Sequence, residues 1–240
     1  MYEQRFYRDF GKTDRWAAYR VRVESSDLYI RSRDNHAIWV QSLVRNIRHE
    51  LKAHIRRRPE FLESMAPLEP TRRAHPMITR MYRAALRANT GPMAAVAGAV
   101  AEFVGRELLR SCEEVVVENG GDTFLKLSEP GVSTIFAGKS QFSGAIGLRI
   151  DPQKTPLAVC TSSGTVGPSV SLGRADAATI VSRDACLADA VATAAANRVR
   201  SKEDLEDALG YALGIEGVLG AVLILGDELA VQGDVELVRT

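Results

Sequence analysis

Asp189, Thr193 and Asn197 recur every four residues in an alanine-rich stretch running from Asp184 to Val199. Four residues is just over one helical turn, so the three polar side chains line one face of the helix this stretch predicts. Asp189 offers an anionic oxygen and Thr193 a hydroxyl oxygen, a pairing that suits a hard cation such as Mg²⁺. Upstream lies Cys160-Thr161-Ser162-Ser163-Gly164-Thr165. Its hydroxyls, and a glycine that lets main-chain N–H groups approach, suit a phosphate. A metal stripe beside a phosphate-type loop points to a nucleotide or another phosphorylated ligand. The same residues have a plainer reading. A helical threonine often bonds back to the carbonyl one turn earlier, and an aspartate can simply face water.

Those groups need elements to hold them. Ala18–Val23 and Ser26–Arg31 alternate polar and apolar residues, as half-buried strands do. Asp34 is placed to cap a helix reaching Arg58, stopped by Pro59. Pro76 fits the first turn of a second helix, Met77–Ala88. Thr90-Gly91-Pro92 opens a third, Met93–Arg110, whose start is built of small residues that let another backbone or a flat ligand come close. Tight helix packing explains the same alanines. Glu114–Glu118 reads as a strand entering Asn119-Gly120-Gly121-Asp122, a strong turn signal. Strands are predicted at Thr123–Leu127, Thr134–Ala137, Ala145–Ile150, Leu157–Thr161 and Ala177–Ser182. Ser201 with Asp204 forms a capping-box pattern for a helix to Leu213. A hairpin follows, Val218–Leu225 and Leu229–Val231 around Gly226-Asp227, with a last strand after Gly233. Strands and helices come in runs, which favours an α+β fold of mixed sheets packed with helices.

The 240 residues fit one domain, 1–240, or two interlocked halves, a basic part to about residue 90 and a motif-bearing part from 91. Net charge is +1, but residues 1–89 carry 19 Lys and Arg against 10 Asp and Glu. The remainder carries 12 against 20, so the halves are oppositely charged and suited to dock. Arg45, Arg48, Lys52 and Arg56 form a basic stripe without interleaved aromatics. That composition reads as a solvated face, and nucleic acid is not expected as a partner. Three widely spaced cysteines exclude a zinc or iron–sulfur cluster of the usual spacing and fit a reducing cytoplasm. Cys112 and Cys186 read as packed thiols, while Cys160 adjoins the candidate loop. His36, His49, His54 and His75 read as surface or cap residues. Neither a secretory signal nor a membrane span is expected. A homo-oligomer is compatible with the sequence.

Three segments together resemble one family. Asn119-Gly120-Gly121-Asp122 is similar to the NxGGD motif of the ApbE superfamily, the FAD:protein FMN transferases once called thiamine-biosynthesis lipoproteins. Cys160-Thr161-Ser162-Ser163-Gly164 looks like that family's Ala-Thr-Ser-Gly loop. Ala188-Asp189-Ala190-Val191-Ala192-Thr193 looks like its Ala-Asp-Ala-Leu-Ala-Thr helix. Gly91–Gly98 and Glu118–Asp122 resemble more closely a short cytosolic branch of uncharacterised members in anaerobic bacteria and archaea.

The resemblance implies roles. Asp189 and Thr193 would bind Mg²⁺ beside a flavin pyrophosphate, completed by a main-chain carbonyl from the Val96-Ala97-Gly98 segment. Asn119, Gly120, Gly121 and Asp122 would lie near the flavin, FAD or FMN, and Thr161, Ser162, Ser163 and Gly164 would cradle phosphate. The expected function is therefore binding of a flavin or adenine nucleotide with Mg²⁺, extending to flavin or phosphoryl transfer. The alternative is a non-enzymatic accessory protein in anaerobic sulfur assimilation into homocysteine, with a protein partner in that sulfur-transfer pathway. Two departures bear on the choice. Ala97 stands where the family has lysine, and the family's His-x-x-Asp-Pro segment has no counterpart in Thr165–Arg174.

Overall fold

The computed structural model describes residues 15–164 and 173–240. Eleven strands and six α-helices make up the described residues, in three layers. The chain opens with the antiparallel pair β1 (Ala17–Val23) and β2 (Ser26–Ser32). Helix α1 (Ala37–Arg57) follows, then the short α2 (Glu60–Glu63) and α3 (Pro76–Ala88). A 3₁₀ turn, Pro92–Ala95, leads into α4 (Val96–Leu108). Strands β3 (Val115–Asn119) and β4 (Asp122–Lys126) form a hairpin. After β5 (Gly131–Thr134) and β6 (Ile146–Ile150) come β7 (Leu157–Ser162) and β8 (Ala177–Ser182). Helices α5 (Ala185–Arg198) and α6 (Leu205–Leu213) precede β9 (Val218–Leu225), β10 (Glu228–Gly233) and β11 (Leu237–Arg239).

Among the described residues, eight strands form an antiparallel sheet in the order β1-β2-β3-β4-β7-β8-β9-β10. The other three, β11-β6-β5, form a second antiparallel sheet. Alternation along a strand sends successive side chains to opposite faces, and here both faces of the large sheet are used. Val117, Phe124, Ala158, Cys160 and Ile180 face the helices and join one core. Leu125, Leu157, Val159, Val181 and Val222 face the small sheet and join a second core with Leu148 and Ile150. This is the α+β architecture expected, with a core on each face of the large sheet.

The local departures from expectation have identifiable causes. Helix α1 starts at Ala37 instead of after Asp34, because Asn35 Oδ1 takes the Ala37 N–H at 2.9 Å. Met93–Ala95 wind as a 3₁₀ turn, so α4 proper begins at Val96. Strand β5 lies three residues earlier than predicted, at Gly131–Thr134. The capping box at Ser201 and Asp204 is present, and His75 caps α3 by accepting the Met77 N–H on Nδ1 at 3.2 Å. Of the basic stripe on α1, Arg48 and Lys52 are bound to Glu24. Arg80 of the basic half pairs with Glu102 and Asp184 of the acidic half. Among the described residues no helix is long and apolar enough to cross a membrane.

Candidate functional site

The β3–β4 hairpin turns on Gly120 and Gly121, both at positive φ (72° and 106°), a conformation that side chains other than glycine's rarely allow. That tight turn brings Asn119 and Asp122 face to face in the register. Strand β7 lies beside β4, with Val159 opposite Thr123. The Thr161 carbonyl is consequently 3.5 Å from where a side chain on Gly121 would begin. Two segments about forty residues apart in sequence therefore meet at the same end of neighbouring central strands.

Helix α5 crosses beneath them. It is alanine-rich because it is buried on almost every side, against α3, α4 and strands β7 and β8. Gly98, in the first turn of α4, has no room for a side chain: a Cβ there would lie 2.9 Å from the Asp189 Cβ and run into the Ala185 carbonyl. This close approach lets Asp189 Oδ2 accept the Gly98 N–H at 2.8 Å. The Ala97 N–H bonds to the same carboxylate. Helix α4 has no side-chain cap of its own and no acid in its first turn, so Asp189 caps it from a distance. Asn119 Nδ2 donates to the Ala97 carbonyl at 3.1 Å and ties the hairpin to the same turn.

Asp122 completes the cluster. It is 6% exposed, lies beside Cys160 and the Thr161 main chain, and leaves Oδ1 without a partner. Burial, then the charge of Asp189, then that of Glu118, push its carboxyl well above the usual range. Burial also raises Asp189, to about 7, against the lowering effect of the Gly98 and Ala97 N–H bonds. Glu118, part of the Glu118–Asp122 segment but without a role assigned from sequence, is buried and accepts the Gly121 N–H at 3.0 Å. Its position one residue before Asn119 was the available signal. Two neighbouring buried carboxylates thus have one oxygen unsatisfied, an arrangement that favours either a shared proton or a cation.

The remaining candidates are distributed around this centre. Thr193 lies one turn beyond Asp189 on α5 and is half-buried. Thr161 turns its hydroxyl to Thr179 Oγ1, 2.9 Å away, while its main chain stays with Asp122. Ser162 is buried at the end of β7. The Ser163 hydroxyl donates to the Ala175 carbonyl at 3.4 Å and the Gly164 N–H to the same oxygen at 2.8 Å. Gly173 packs on Ala196 and Asn197, which places this loop over the second half of α5, past Thr193. Thr165, and most of the gap where the His-x-x-Asp-Pro segment would fall, lie outside the described residues.

The Asp189 carboxylate, the Thr193 hydroxyl one turn further along α5, the Ala97 carbonyl and the unsatisfied oxygen of Asp122 are hard donors, the type that could hold a cation such as Mg²⁺. A second acidic group, Glu102, Asp184 and Cys186, does not offer a free seat. The Arg80 guanidinium lies 2.7 Å from Glu102 and 3.1 Å from Asp184 and already supplies the positive charge.

The chain matches the family described as AbpE bacteria over residues 9–231. It belongs to that family. The UPF0280 protein of Methanocella arvoryzae is 40% identical over 218 residues, covering 90% of this chain and 88% of that one. The UPF0280 protein of Methanothrix thermoacetophila is 37% identical over 223 residues, covering 92% and 93%. Among solved structures, the apo flavinyl transferase ApbE of Pseudomonas stutzeri superposes with a TM-score of 0.62 at 12% identity, covering 91% of this chain and 94% of that one. The flavin transferase ApbE of Vibrio cholerae gives 0.60 at 12% identity, covering 91% and 96%. At that identity the likeness establishes the shared fold, and this family member has the ApbE-like architecture the motifs implied.

Proposed function

We propose that this protein binds a flavin or adenine nucleotide, FAD or FMN among them, with Mg²⁺ at the Asp189 cluster. The observation that carries the reading is the buried Asp122–Asp189 pair, held against the first turn of α4 with Asp122 Oδ1 unsatisfied. Asp189 and Thr193 would hold the metal, joined by the Ala97 carbonyl. Magnesium bound there would neutralise a pyrophosphate and polarise a phosphoryl oxygen. The chain's own contribution is positioning. Asn119 fixes the hairpin on α4 through the Ala97 carbonyl. The Gly120-Gly121 turn presents an edge free of side chains, against which a flat ring can lie closely. Ser163 and Gly164, above the second half of α5, border the place for phosphate. The two solved structures that share the fold are named flavin transferases, which supports a flavin as the ligand.

Covalent transfer of FMN to a protein is not part of the proposal. Transfer needs a group that activates the acceptor hydroxyl, and the alanine at position 97 supplies neither a base nor a cation. The same alanine favours the second reading, an accessory protein in sulfur transfer that keeps the fold without chemistry. Calorimetry with FAD, FMN and ADP, each with Mg²⁺, separates the two. Saturable, Mg²⁺-dependent binding lost in Asp189→Asn supports the first; no binding of any of the three leaves the accessory role. Mass spectrometry of a threonine acceptor peptide incubated with FAD and Mg²⁺ tests the transfer step, and an FMN adduct would overturn its exclusion.

A further inference from the structure

A surface cleft of about 540 Å³ lies between α3 and the start of α5, and neither Asp189 nor Asp122 lines it. Arg80, Arg83 and Arg87 line it from α3, where the spacings of three, four and seven residues put all three on one helical face. Asp184 and Leu187 line it from α5. The three arginines are not equivalent. Arg80 is committed to Glu102 and Asp184. Arg87 donates one N–H to the Glu216 carbonyl and lies over the Gly217 turn, which holds its guanidinium in place without neutralising it. Arg83 is exposed and has no ion-pair partner among the described residues. The cleft's internal carboxylates are thus consumed by Arg80, and two guanidiniums are left facing a concavity with their charge uncompensated.

We infer that this cleft binds a small phosphorylated ligand, a pyrophosphate or phosphomonoester, through Arg83 and Arg87. Arginines one helical turn apart can engage paired phosphate oxygens together, and each guanidinium binds such oxygens two at a time. The volume lies within the range of small-molecule sites. A dianion or trianion matches the two free positive charges, whereas a neutral ligand would leave them unmet. Arg80 keeps Asp184 from repelling the anion. The site is independent of the magnesium site and needs no metal.

The test is calorimetry of the whole chain with sodium pyrophosphate, in EDTA so that the Asp189 cluster cannot contribute through a metal. Saturable binding with a Kd below about 1 mM is expected, weakening as salt rises because the contacts are largely ionic. Arg83→Glu should weaken it about tenfold or more, with an unchanged melting temperature because Arg83 is exposed. Arg45→Glu, the same charge change on exposed α1, should leave Kd within about twofold. Three results would overturn the inference: no saturable binding, equal weakening in Arg45→Glu and Arg83→Glu, or binding of a hexaglutamate peptide but not of pyrophosphate. The last would mark the cleft as a docking place for acidic protein segments instead. Because Mg²⁺ is absent, failure here leaves the proposed nucleotide site untouched.

Discussion

Asp189 Oδ2 takes the Gly98 N–H at 2.8 Å, across ninety-one positions of sequence. One carboxylate thereby caps α4, anchors α5 and stands at the centre of the candidate metal site. Substitutions can separate these roles. Asp189→Ala removes both the cap and the charge and is expected to cost about 1–2 kcal/mol of stability, as other lost caps do. Asp189→Asn keeps an oxygen to accept the Gly98 N–H and should cost less. Both should lose Mg²⁺-dependent nucleotide binding. Urea unfolding and calorimetry on the same two variants check the pair of expectations, and equal stability losses would argue against the cap.

The coupled carboxylates predict an unusual pH response. Burial raises Asp189 to about 7 and Asp122 upward, so the folded state holds protons that the unfolded chain has released. Stability from this pair is therefore greatest in mild acid and falls as pH rises from about 4 toward 7. Glu114 works in the opposite sense at lower pH. Its burial is outweighed by bonds from Arg15 and Ser128, which hold it at about 2, so its contribution is lost as pH falls from about 4.5 toward 2. Thermal melts of metal-free protein between about pH 5 and pH 7.5 should show a falling Tm that Asp189→Asn flattens. Mg²⁺ should restore the loss at the upper end, because a cation stabilises the ionised pair.

Glu102 is wholly buried yet fully engaged. It accepts from Arg80 at 2.7 Å, from Arg106 at 2.6 Å and from the Ala185 N–H at 2.8 Å, linking α3, α4 and α5. Glu102→Ala removes one of the two carboxylate partners of Arg80, breaks the pair with Arg106 and frees the Ala185 N–H at the start of α5. A loss of about 1–3 kcal/mol is expected, measured by urea unfolding. A loss below about 1 kcal/mol would mean the cluster is dispensable.

The three thiols should differ in reactivity. Cys160 and Cys186 are 0% and 1% exposed, and burial raises both thiols well above the ordinary cysteine range. Cys112 is 9% exposed with His36 Nε2 3.5 Å from its sulfur. Iodoacetamide on the native protein should modify Cys112 first, read by peptide mass spectrometry, with the other two reacting only after denaturation. Early labelling of Cys160 would show that the pocket under the hairpin opens.

The sequence by itself determined what local chemistry determines. Gly120 and Gly121 demand a tight turn, Pro76 and His75 start α3, and Ser201 with Asp204 starts the last helical segment. Alternation marked the strands, and the Asp189–Thr193 spacing marked one face of α5. Each depends on residues within a few positions of one another, so each is readable from order alone. The tertiary structure decided the rest. That Asp189 meets Gly98, that Glu102 serves as a helix clamp and not a metal ligand, and that Glu118 charges the pocket all depend on contacts between distant segments. The two cores were likewise hidden, because a strand buried on both faces reads only as apolar until its neighbours are placed. The Arg83–Arg87 cleft shows the same division: spacing aligns the arginines, but only the packing of α5 against α3 gives them a concavity to face.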